Sequence, residues 1–278
     1  MKDRITLTLE SELLKRVDNT VDGHQVKNRS HAVELLLMKA LHSDMPLKAI
    51  VLAGGTKTPL KSKFKSTPHV LTPVNGGAVI DHVIELFKQF GVNEIIFCLG
   101  QDADQIQEHI TSKEHNLNLT FLKEKFPLGT AGPLRLAQKH INSSFFVANA
   151  DTLRNLDLRD FHNFHTQHKG MATLALTTVD DPSKYGVANM TGNHILNFVE
   201  KPRKQNAPSN LINAGIYVME PEVIDYIPEG FATLEEDVFP KLARENKLMG
   251  YAYSGQWFSI DTVEDYRKAV KNWKGVTR

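Results

Sequence analysis

Three small residues, Ala53-Gly54-Gly55, close the apolar run LKAIVLA, and four lysines follow, Lys57, Lys61, Lys63 and Lys65, with no acid between them. Small side chains at such a turn let a ligand approach backbone N–H groups, and ammonium groups act on phosphate as point charges. The stretch LAGGTKTPLKSKFKSTPHVLTPV, residues 52–74, therefore opens as a loop able to hold phosphates. Each glycine taken alone also reads as a tight turn. His162, His165 and His168 recur every third residue on a predicted helix and read as surface or half-buried histidines rather than a metal site.

The chain of 278 residues is 41% hydrophobic, enough for a large core plus a small module. Lys and Arg number 33 against 32 Asp and Glu, so no global field calls for nucleic acid or an anionic membrane, and such binding would need local patches. The single cysteine, Cys98, sits in the apolar run IIFCLG and reads as a core thiol, which excludes a disulfide framework. No stretch approaches the length of a membrane span, and the reading is a soluble, cytoplasmic protein with no membrane partner.

Periodicity places two modules, 1–45 and 46–278. RITLTL at 4–9 alternates, with Ile5, Leu7 and Leu9 on one face and Arg4, Thr6 and Thr8 on the other, predicting a half-buried strand. Ser11 is placed to cap a helix that ends near Asp22-Gly23, and Asn28 or Ser30 to cap a second over SHAVELLLMKAL. HSDMP at 42–46 forms the hinge. Beyond it, LKAIVLAGG, VNEIIFCLG, LNLTFLKE, SFFVANAD and MATLALTTV read as strands, with a helix over about 80–90. Strands alternating with helices predict an α/β, Rossmann-like domain with a mostly parallel sheet and ligands at the strands' carboxyl ends.

The strand-helix-helix order of residues 1–43, with the NRS before the second helix, resembles the ribbon-helix-helix DNA-binding proteins. That resemblance implies a homodimer through the paired N-terminal ribbon, with higher association open. Arg4, Thr6 and Thr8 would then face bases, and Lys2, Lys27, Asn28, Arg29 and Ser30 would lie toward phosphates. A pure dimerisation arm is the other reading of the same segment.

The ordered motifs LAGG (52–55), PLGTAG (127–132), ANAD (148–151), YGV (185–187), FVEKP (198–202), INAGIYV (212–218), LEEDVFPKLA (234–243) and QWFSIDTVEDY (256–266) resemble the sugar-1-phosphate nucleotidyltransferases. The likeness is to their mannose-1-phosphate guanylyltransferase and glucose-1-phosphate nucleotidyltransferase branch. It implies that Ala53, Gly54 and Gly55 hold a nucleotide, that Glu124, Gly129 and Thr130 meet the base, and that Gly186, Glu200, Lys201 and Asn213 meet the sugar phosphate. It also implies a metal between two aspartates, of which Asp151 is kept.

Four positions depart from that pattern: Lys57 stands at a loop glycine, Pro59 at an arginine, His69 at a lysine and Ser259 at the second metal aspartate. Losing one preorganised charge commonly costs about 10² to 10³ in rate. The expectation is therefore a DNA-binding transcription regulator whose degenerate transferase domain senses a sugar nucleotide, sugar phosphate or nucleotide, with no cofactor needed for DNA binding. The alternative is an active sugar-1-phosphate nucleotidyltransferase with an N-terminal dimerisation or autoregulatory arm. In that case Asp151 is catalytic and holds Mg²⁺, rescued by the four lysines or by Asp261, two residues beyond Ser259 and about 6 to 7 Å away on the same strand face.

Overall fold

The computed structural model describes residues 6–23, 26–40, 45–55 and 67–277. The chain divides into two compact units, Met1–Met45 and Pro46–Arg278. In the first unit two helices form, α1 (Ser11–Asp18) and α2 (Arg29–Ala40). Glu10 rather than Ser11 occupies the N-cap of α1. Asn28 caps α2, its side-chain oxygen accepting the N–H of His31 at 3.0 Å. Arg29 grips Asp18 with both arms, Nε to Oδ1 at 2.6 Å and Nη2 to Oδ2 at 2.7 Å, which ties the helices together and lowers the carboxyl's pKa.

The strand expected over 4–9 does not form in its described part. Thr6–Glu10 carry no strand pairing, and Leu7 is 51% exposed; Lys2, Arg4 and Ile5 lie outside the described residues. Alternation over six residues marks a candidate face, but a strand exists only where another backbone completes its hydrogen bonds.

The second unit is built on a nine-stranded sheet ordered β5-β4-β1-β6-β11-β8-β12-β10-β9. These strands are β1 (Lys48–Ala53), β4 (Glu94–Leu99), β5 (Asn118–Lys123), β6 (Phe145–Asn149), β8 (Ala172–Thr178), β9 (Gly186–Thr191), β10 (His194–Glu200), β11 (Leu211–Met219) and β12 (Leu248–Ala252). Two short pairs accompany it, β2 (Pro73–Val74) with β3 (Gly77–Ala78), and β7 (Thr152–Arg154) with β13 (Trp257–Ser259). The helices are α3 (Val79–Gln89), α4 (Ala103–Thr111), α5 (Gly132–Leu136), α6 (Leu158–His168), α7 (Phe239–Arg244) and α8 (Val263–Asn272).

The strands β5, β4, β1 and β6 run parallel, as the alternation of strand and helix requires. The sheet as a whole is mixed rather than mostly parallel, because β11 enters antiparallel between β6 and β8, and β10 pairs antiparallel with β12 and β9. Ile50, Val51, Ile95, Ile96, Phe97, Phe146 and Val147 are fully buried in these central strands, each contributing about 1.5–3 kcal/mol of burial. Cys98 is also buried, and desolvation pushes its thiol up to about 12, which keeps it an inert core group. His165 is buried between Thr173 (2.7 Å) and Glu220 (2.9 Å), a structural role. Among the described residues no helix is long and apolar enough to cross a membrane.

Candidate active site

The parallel strands end at one side of the sheet, where β1 leads into Ala53-Gly54-Gly55 and β6 into Asp151. A Cβ at Gly54 would lie 2.3 Å from Oε1 of Glu124, so a side chain there would displace that carboxylate. Glu124 follows β5, its N–H bonded to the Leu99 carbonyl at 2.8 Å. Its Oε2 accepts the N–H of Leu128 at 2.9 Å, while Oε1 is buried with no hydrogen-bond partner. Burial raises the Glu124 pKa against that backbone bond.

Gly129 takes φ +79°, and a Cβ there would stand 2.2 Å from the Ala232 carbonyl oxygen. Gly129→Ala is expected to cost about 1–3 kcal/mol, read as a lowered urea midpoint at unchanged slope. Thr130, next in line, donates to Glu235 and accepts the N–H of Leu234 at 2.8 Å. The threonine expected at the base is thus tied to Glu235, which rides on a π-helical turn over Leu234–Val238. Burial raises the Glu235 pKa, with neighbouring Glu200 adding to it and Lys201 opposing.

Gly186 opens β9 directly opposite Glu200, the last residue of β10. Lys201 then turns into the left-handed region at φ +45°, and its Nζ meets Oε1 of Glu200 at 2.9 Å. Glu200 chiefly, with Glu235 and Asp261, raises the Lys201 pKa against desolvation, so one cation faces three acids. Asn213 lies where the β11 register breaks. It donates to the Tyr217 hydroxyl at 2.8 Å and accepts the N–H of Gly215 at 2.9 Å.

The β7–β13 pair sets Ser259 opposite Thr152, which brings Asp151 and Asp261 together from distant parts of the chain. His69 completes the group from the turn His69–Leu71: one ligand atom from each of His69, Asp151 and Asp261 lies within 4.8 Å of the others. Ser259 holds the displaced carboxylate, its hydroxyl donating to Oδ2 of Asp261 at 2.7 Å and accepting the Asp261 N–H at 3.2 Å. Desolvation and the facing Asp151 raise the Asp261 pKa against Ser259 and His69. Burial lowers the His69 pKa despite both aspartates, favouring the neutral imidazole. Two carboxylates and an imidazole whose ring nitrogens are both buried without hydrogen-bond partners fit a divalent cation.

Three members of this site carry no flag in the residue types alone: His69 as a ligand, Glu235, and the buried Arg154, whose Nη2 donates to the Asn149 carbonyl at 2.8 Å. The displaced carboxylate two residues past Ser259 is the one signal that pointed here. Lys57, Pro59, Lys61, Lys63 and Lys65 lie outside the described residues.

A parallel-strand end here carries a glycine turn, a buried carboxylate oxygen without a partner and a carboxylate–imidazole group, all within an α/β protein. The chain belongs to the nucleotidyl transferase family, whose model matches residues 48–274. Mannose-1-phosphate guanyltransferase 2 of Candida glabrata is 37% identical over 228 residues, covering 79% of this chain and 63% of that protein. The mannose-1-phosphate guanyltransferase of Saccharomyces cerevisiae is 36% identical over 228 residues with the same shares, so the chain spans 63% of the length of both relatives. The crystal structure of HddC from Yersinia pseudotuberculosis superposes with TM-score 0.71 at 28% identity, covering 82% of this chain and 99% of that one. HddC complexed with GMP-PN gives TM-score 0.71 at 29% identity over the same shares.

These relatives overturn the reading of a DNA-binding transcription regulator with a pseudoenzyme sensor domain. The two guanyltransferases are named as enzymes, and DNA as partner and the homodimer through an N-terminal ribbon fall with that reading. The local chemistry agrees. The Asp18 carboxylate takes up the Arg29 guanidinium expected on phosphate, and the Asn28 side chain is spent on its helix. Lys27 and Ser30 remain beside that cap, and Lys2 and Arg4 are not described. Asp261 places a carboxylate beside Asp151, where Ser259 has none to offer.

Proposed function

We propose that this chain is an active sugar-1-phosphate nucleotidyltransferase that transfers a guanylyl group from GTP to mannose 1-phosphate, the reaction named for its relatives. The observation that carries the reading is the convergence of His69, Asp151 and Asp261 in a chain whose sequence pattern had lost one of two aspartates. The two units are read as separate domains, 1–45 and 46–278, with the transfer confined to the second.

A phosphate oxygen of the sugar phosphate forms the new bond to the α-phosphorus of the triphosphate. The bond from that phosphorus to the oxygen bridging toward the β-phosphorus breaks, and pyrophosphate leaves with the electron pair. Protein catalysis of such a step is mostly positioning and charge stabilisation. Backbone N–H groups of Ala53, Gly54 and Gly55 receive the phosphates, and Lys201 balances the sugar phosphate while Glu200 and Asn213 meet hydroxyls. His69, Asp151 and Asp261 would hold a divalent cation such as Mg²⁺. When bound, that cation neutralises charge on the phosphates.

Glu124 supports guanine. Its unpartnered Oε1 is an acceptor suited to the adjacent N1–H and 2-amino donors of that base, which adenine and the pyrimidines do not present in that arrangement. Glu124→Gln is expected to reduce the kcat/KM preference for GTP over the other triphosphates by roughly 10- to 100-fold. The full chain is assayed for pyrophosphate release with each common nucleoside triphosphate, and an unchanged preference would remove the guanine assignment.

A further inference from the structure

We propose that His69 is a protein ligand of the catalytic cation, and that this nitrogen donor turns the site from Mg²⁺ toward Mn²⁺ and its softer neighbours. The side chain is 6% exposed and sits in the turn just before β2, with both Nδ1 and Nε2 buried and without hydrogen-bond partners. Two unsatisfied nitrogens in one buried ring are costly unless a further group meets them. The groups that face it are acceptors: Asp151 and Asp261, with His69 Nε2 standing 3.9 Å from Oδ1 of Asp261. That separation is too long for a hydrogen bond and suits two donors on either side of one ion, whose bonds to nitrogen and oxygen are about 2.0–2.2 Å each.

The donor set decides the preference. Mg²⁺ demands near-octahedral oxygen and dehydrates reluctantly, so it gains little from an imidazole. Mn²⁺, Co²⁺ and Zn²⁺ accept one nitrogen with two carboxylates readily, with affinity rising along that series from Mn²⁺ to Co²⁺. Ser259 belongs to the same arrangement. Its hydroxyl occupies Oδ2 of Asp261 at 2.7 Å, leaving Oδ1, the oxygen nearer His69, for the ion. The histidine that departs from the family pattern and the carboxylate displaced by two residues thus act together as a rebuilt cation site.

This inference rests on the transferase reading only for what the cation does, because binding can be read without turnover. The full chain, stripped with chelator, is titrated with MnCl₂ and separately with MgCl₂ by calorimetry, and the Mn²⁺-loaded protein is examined by pulsed electron paramagnetic resonance. The expected results are Mn²⁺ binding at least about tenfold tighter than Mg²⁺ and a ¹⁴N hyperfine coupling of an imidazole. In His69→Ala the coupling disappears and Mn²⁺ affinity falls roughly 10- to 100-fold, with Mg²⁺ affinity moving far less. The wild-type coupling needs no variant, so misfolding of His69→Ala does not shield the claim. Absence of ¹⁴N coupling, or equal affinity for the two ions, overturns it. A coupling in protein that releases no pyrophosphate supports the ligand set and contradicts the transferase reading instead.

Discussion

Asp261→Asn is expected to lower kcat by about 10² to 10³, whereas Ser259→Ala lowers it by less than about tenfold. The contrast separates two accounts of this chain. If the position now held by Ser259 were indispensable, the site would already be dead and neither change would matter. In the structure the carboxylate has moved two residues along the chain, and the serine has become its support through the 2.7 Å hydrogen bond to Oδ2. Asparagine keeps the volume and one oxygen of Asp261 but removes the negative charge that a divalent cation needs most. Removing the serine hydroxyl leaves that charge in place and loosens only its aim. Steady-state pyrophosphate release, with the thermal midpoint of each variant measured alongside, reads both effects; equal losses would show that orientation and not charge is what Asp261 supplies.

Asp151→Asn is expected to cost about 10³ in kcat, the larger of the two carboxylate effects. Asp151 stands two residues past β6, a central strand buried over Phe145–Ala148, and Thr152 donates to its Oδ1 at 3.1 Å. A rigid strand end fixes this group more tightly than the loop after β13 fixes Asp261, whose side chain is 53% exposed. The thermal midpoint of Asp151→Asn should hold or rise, because the substitution relieves repulsion between two facing acids. A fall in kcat of less than about tenfold at full folding would remove Asp151 from the cation site.

Much of this architecture was legible in the residue order. The continuous apolar runs at β1, β4 and β6 and the glycine turn after β1 announce parallel strands with a ligand at their carboxyl ends. Gly186, Glu200 and Lys201, which the motif order groups together, meet at the β9–β10 end. Other features depend on contacts that no local pattern encodes. The insertion of β11 between β6 and β8 makes the sheet mixed, and nothing in INAGIYV states which strands it will choose. RITLTL alternates as a strand should, yet Thr6–Glu10 form none, because pairing is decided by a partner backbone and not by the pattern itself.

The substitutions misled for a related reason. Ser259 and His69 each look like a loss when compared position by position. In space they belong to one group with Asp261 and Asp151, set by the pairing of Ser259 with Thr152 across β13 and β7. Asp261 lies past the end of β13 rather than on it, and the two hydrogen bonds from Ser259, not a shared strand face, set its carboxylate beside Asp151. Lys57, Pro59 and the lysines beyond them, outside the described residues, are where the sequence still departs from the motif pattern it resembles.

The central claim is that the chain transfers a nucleotidyl group rather than merely binding one. It is tested most directly by measuring pyrophosphate released by the full chain given GTP, mannose 1-phosphate and either MnCl₂ or MgCl₂. The account predicts steady multiple-turnover release that requires both substrates and the divalent ion and that disappears in Asp151→Asn. No release above the protein-free rate with any common nucleoside triphosphate and hexose 1-phosphate would contradict it.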